Sequence, residues 1–119
     1  MGIRNAGQYR VREFDSFERF LFDWLAKKQL ENIDYVFQPQ HDFVEDAYGN
    51  VIVDFVGRVE SISQDIADIE SRLGKSLYLG HYNRTSESGT YREAYTSEDM
   101  VSLVGEIYSG DIAQFGYEF

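Results

Sequence analysis

Apolar residues recur at helical spacing in three stretches of the chain and alternate at strand spacing in one. Phe17, Phe20, Leu21, Trp24 and Leu25 fall on one helical face, and Asp15 with Glu18 forms a capping-box pattern ahead of them. This predicts a helix over about 16–30 whose aromatic stripe packs into the core. A second helix follows Ser61 and Gln64, with Ile62, Ile66, Ile69 and Leu73 as its stripe and Gly74 as its stop. Thr96 with Asp99 opens a third, faced by Met100, Leu103, Val104 and Ile107 and ended by Gly110. Between the first two helices, HDFVED and VIVDFV flank a turn at Gly49-Asn50, which predicts a β-hairpin. There Val51, Val53 and Phe55 share one face, while Asp54 lies with Ile52 and Val56 on the other. An acid among apolar neighbours is expected to need a partner. Residues 1–13 read as a flexible lead-in and 14–119 as a single domain, with a long loop over 76–95 and an apolar close on Phe115, Tyr117 and Phe119. The fold class predicted is α+β, three main helices with a β-hairpin.

Composition narrows the chemistry. The 119 residues carry 11 Lys plus Arg against 21 Asp plus Glu, a net charge of −10, which argues against a nucleic-acid-coating surface. The charge is uneven: residues 1–30 are net +2 and residues 31–119 net −12. Zero Cys excludes disulfides, thiolate metal sites and cysteine nucleophiles, and two His make a His-rich metal centre a poor expectation. There is no apolar run of membrane-spanning length and no apolar segment in MGIRNAGQYRVR. No membrane association is therefore expected, and the location is read as cytoplasmic or unknown.

Individual motifs are weak when tested alone. Gly74-Lys75-Ser76 resembles the tail of a phosphate loop, but it follows a helix and lacks the upstream Gly, so a helix stop is the better reading. Asp42, Glu45, Asp46 and Asn50 do not have calcium-loop spacing and read as a solvated turn, so no metal site is assigned. Asn83-Arg84-Thr85 matches a glycosylation acceptor and, with no signal peptide visible, reads as chance. The 81–92 loop carries Arg84, Ser86, Tyr91 and Arg92, where guanidinium forks and hydroxyls suit a phosphate or sulfate. The plainer alternative is a surface loop whose Arg pair with carboxylates. His41 and His81 each have a near-neutral pKa suited to a general base, without an evident second ligand.

The order of these pieces carries more. Phe37-Gln38-Pro39-Gln40, then Asp54-Phe55-Val56-Gly57-Arg58-Val59-Glu60, then Asp65, Ile66 and Ile69 run in series. His81, Asn83, Thr85, Tyr91-Arg92 and Tyr95 follow, and then Tyr108, Asp111 and Phe115-Gly116-Tyr117. Over about 37–119 this series resembles the C-terminal part of the carbohydrate (Golgi-type) sulfotransferase family and its bacterial relatives. The resemblance implies the C-terminal portion of a P-loop-like α/β sulfotransferase. The reaction implied is sulfuryl transfer from 3′-phosphoadenosine 5′-phosphosulfate to a sugar or alcohol hydroxyl. It also implies donor-side roles for Tyr91 and Arg92, with Arg84 and Ser86 secondary. His41, following the Pro-Gln segment, is the acceptor-side candidate; Arg58 and Glu60 read as a structural ion pair.

Residues 1–36 contain neither a strand–Lys-x-x-(Ser/Thr) loop opening a helix nor an Arg-Asp-Pro-like segment. The expectation is therefore a fragment or a module standing alone, inactive by itself because the phosphosulfate-binding loop is missing, with no catalytic residue assigned. It would be completed by a missing N-terminal half or by a second copy in a homodimer. The acidic surface favours a neutral sugar or small alcohol as acceptor. The alternative is a non-catalytic interaction module that self-associates or docks on a partner chain.

Overall fold

The computed structural model describes residues 6–80 and 90–119. Its centre is a helical stretch that starts at α1 (Phe17–Arg19), winds through a π turn at Phe20–Trp24 and tightens to a 3-10 turn at Leu25–Lys27. Ser16, not Asp15, caps it: the Ser16 hydroxyl accepts from the Arg19 N–H at 3.2 Å, and Asp15 pairs instead with the Arg19 guanidinium at 3.6 Å. The stretch buries Leu21 and Leu25 against Met100 of α3 (Glu98–Ile107). Each such side chain is worth about 1.5–3 kcal/mol when removed from water. The Ser97 hydroxyl caps α3 by accepting from the Met100 N–H.

Aromatic rings extend this small core. Trp24 stacks on Phe20 with ring centroids 5.6 Å apart and meets Phe14, Phe37 and Tyr9 edge-on. Such pairs each add about 0.5–1.5 kcal/mol beyond the area they bury. Tyr9 also donates its hydroxyl to the buried Asp34.

α2 (Ile62–Leu73) forms as its stripe predicts, and Gly74 ends it in the left-handed region at φ 61°. Its start differs from the expected capping box. Asp65, one turn in, accepts from the Arg58 N–H at 2.6 Å and from the Ser61 hydroxyl at 3.0 Å, which folds the 57–61 segment back on the helix. The last helix also departs from expectation. The chain turns at Tyr108 and continues as α4 (Ser109–Phe115), with Gly110 inside it and Gly116 ending it at φ 64°.

The predicted α+β fold with a β-hairpin is not what the chain forms. Among the described residues there is no strand or sheet, only one isolated antiparallel bridge between Glu45 and Val51. The turn itself is there. Gly49 takes φ 79°, and the Asp46 carboxylate accepts from the N–H groups of Tyr48 and Asn50, each at 2.9 Å. The ladder stops for two reasons. Residues 41–43, the expected first strand, curl into a 3-10 turn whose leading N–H groups bond to Asp111 of α4. The second run bends at 53–54, after the Ile52 N–H has bonded to the Val44 carbonyl at 2.9 Å. The described part is thus helical, and it does not reproduce the α+β arrangement expected from the resemblance.

Candidate functional site

Asp111 organises the site. It enters at the first turn of α4 and is 8% exposed. A carboxylate so enclosed requires donors, and it has three. The backbone N–H groups of Gln40 and His41 each donate at 2.8 Å, and His41 Nδ1 lies 2.6 Å away. The contact joins residues 70 positions apart and fixes which imidazole nitrogen faces the protein. The other nitrogen, Nε2, stands 3.4 Å from Asp42. The hydrogen bond from Asp111 pushes the His41 pKa above its ordinary value of 6.5; partial burial opposes this, and the nearby charges of Asp42, Asp111 and Glu45 reinforce it.

The same corner holds other parts of the resemblance series. The Tyr108 hydroxyl donates to the Phe37 carbonyl at 2.9 Å, and burial raises its pKa, with the Asp111 charge adding to the effect. Arg58, expected to pair with Glu60, turns to α4 instead: its guanidinium donates to the Phe115 carbonyl and lies 5.3 Å from the Tyr117 ring centre. Beside the His41 turn an open cleft of about 640 Å³ is walled by Gln40, Phe43, Val56, Arg58, Phe115 and Tyr117. His41 and Asp111 are not in the wall of this cleft, which the 3-10 turn reaches through Gln40 and Phe43; a carboxylate-held imidazole is nonetheless a group able to take a proton.

The donor-side residues lie elsewhere. Arg92 sits over the rings of Tyr91 and Phe119, at 5.5 and 5.0 Å from their centres. Neither Tyr91 nor Arg92 lines the cleft beside His41; Tyr91 borders a second cleft of about 260 Å³ with Tyr95, Ile112 and Tyr117. Tyr117 lines both. Arg84, Ser86 and His81 lie outside the described residues.

Asp54, the acid expected to need a buried partner, stands exposed. The buried acids are Asp34, which Tyr9 engages, and Asp111. The signal for Asp111 was an acid within the apolar set Tyr108, Ile112 and Phe115, directly after a glycine. Among the described residues no group of three or more His, Asp or Glu is placed to hold a metal ion, and no helix is long and apolar enough to cross a membrane.

No protein-family model, curated protein or solved structure matches this chain.

Proposed function

We propose that this chain is a sulfotransferase-like module in which His41 serves the acceptor side of sulfuryl transfer to a hydroxyl of a neutral sugar or small alcohol. One observation carries the reading. The segments of the resemblance series, far apart in sequence, bond to one another: Gln40-His41 to Asp111, and Arg58 to Phe115. A common site is what a shared chemical task would require of them.

In this reading Asp111 holds the imidazole by Nδ1, and Nε2 takes the proton from the acceptor hydroxyl. The 3′-phosphoadenosine 5′-phosphosulfate donor, when bound, would supply the activated sulfuryl group, its S–O bond to the 5′-phosphate breaking as the acceptor oxygen bonds to sulfur and 3′-phosphoadenosine 5′-phosphate departing. Arg92 fits an anion: it rests on two aromatic rings, with no carboxylate at ion-pair distance among the described residues. In this reading turnover requires a phosphosulfate loop supplied alongside the module.

Thermal unfolding with millimolar 3′-phosphoadenosine 5′-phosphate tests the donor half. A rise in Tm that disappears in Arg92→Ala supports the reading. Identical melting with and without the nucleotide in both proteins removes the donor assignment.

A further inference from the structure

The chain exposes far more surface than its mass requires. A compact monomer of 13.8 kDa has an accessible area of roughly 6,600 Å²; this chain exposes 9588 Å². Its radius of gyration, 16.8 Å, exceeds the roughly 13.5 Å of a compact domain of 119 residues. Much of the apolar excess falls on one stretch. Between residues 48 and 79 no side chain is buried, and twelve large apolar ones are more than a third exposed. Val59 is 80% exposed, Ile52 65% and Leu73 58%. The 51–56 run and the ends of the α2 stripe, Ile62 and Leu73, face water, while Ile66 and Ile69 between them are half-buried. Apolar surface of this extent marks an association site.

We infer that this face, the 51–56 run together with the apolar stripe of α2, is the contact through which two copies of the chain form a two-fold dimer. Extent is the first argument. An obligate dimer takes about 1,000–2,500 Å² from each partner, and the exposed apolar side chains between residues 48 and 79 form a run long enough to contribute to such a contact. Charge is the second. The rim carries both signs, Arg72 and Lys75 beside Asp68 and Glu70, so a two-fold axis can set the cations of one copy against the acids of the other. The net charge of −10 on each copy opposes approach at long range, so added salt strengthens this dimer. A basic partner held by the acidic surface would respond in the opposite sense.

Sedimentation equilibrium of the full chain, over a range of concentration and salt, decides the matter. The expected result is a mass of twice 13.8 kDa, with association tightening as salt rises. Placing charges on the face with Ile52→Lys and Leu73→Lys together weakens it about tenfold or more. Neither residue belongs to the Leu21, Leu25 and Met100 core, so the emission of Trp24, the single tryptophan, stays unchanged. If the double variant alters that emission, Val59→Lys reads the same face with a milder change. A single-chain mass under all conditions overturns the inference. So does a mass that grows without limit, or an association that the face variants leave untouched.

Discussion

Gly110 and His41 fit together with no room between them: a Cβ built on Gly110 overlaps Cε1 of the imidazole and comes within 2.8 Å of its Nδ1. The absent side chain at 110 is therefore what lets the ring reach Asp111, one residue further on. Gly110→Ala favours α4 by helix propensity yet is expected to destabilise the protein by about 1–3 kcal/mol through overpacking. Because the clash is with the ring itself, His41→Ala in the same chain is expected to relieve most of that loss. Denaturant unfolding of the two single variants and the double one checks this; additive losses would show that the clash is not the cause.

Removing the acceptor tests the clamp directly. Asp111→Ala leaves the Gln40 and His41 N–H groups without their carboxylate, and hydrogen bonds to a charged group are worth about 1.5–3 kcal/mol each. A loss of about 3 kcal/mol is expected, with Asp111→Asn intermediate because one amide oxygen still accepts. An NMR titration of His41 supplies the second readout. Its pKa is expected to fall in both variants, since the Asp111 hydrogen bond is the largest cause of the rise.

The sign of the pH dependence follows from that rise. A histidine whose folded pKa lies above its unfolded value contributes stability fully below the unfolded value, near 6.5, and loses it as pH climbs through the folded one. The Tm gap between wild type and His41→Gln is thus expected to be widest below about pH 6.5 and to narrow as pH rises above it. If His41 is also the base for the acceptor hydroxyl, the module supplied with its donor loop must gain rate over the same window, because the imidazole has to lose its proton first. A gap that widens with pH contradicts the assigned contact.

The core is small enough for one truncation to matter. Leu21 is 1% exposed and packs with Leu25 and Met100. Leu21→Ala is expected to cost about 2–5 kcal/mol, a large fraction of what a domain of this size has. Equilibrium denaturation followed by Trp24 emission reads it. A loss below about 1 kcal/mol would mean that the helical stretch at 17–27 is not seated on α3 as described.

How far the sequence foretold this arrangement depended on how local each cause is. The α2 stripe and its Gly74 stop were legible because periodicity and the left-handed glycine act within a few residues. The caps of the first and third helices fell one residue past the expected positions, at Ser16 and Ser97, since neighbouring polar residues compete for one role. The hairpin failed for a distant reason. Asp111 takes the N–H groups that open the 41–43 turn, so the segment that should have paired with 51–56 was already occupied. Propensity in HDFVED carries no trace of a carboxylate 70 positions away. His41 was visible as a near-neutral group after Pro39-Gln40, whereas its orienting acid showed only as one letter of a resemblance.

The π turn at Phe20–Trp24 has a consequence for how the chain tolerates length changes. Such a turn accommodates one residue beyond regular α winding. Excising the exposed Phe22 would therefore let the stretch relax to ordinary α winding while the residues on either side keep their phase, so that Leu21 and Leu25 still face Met100. A one-residue deletion, ruinous in a regular helix, would here be absorbed by the turn.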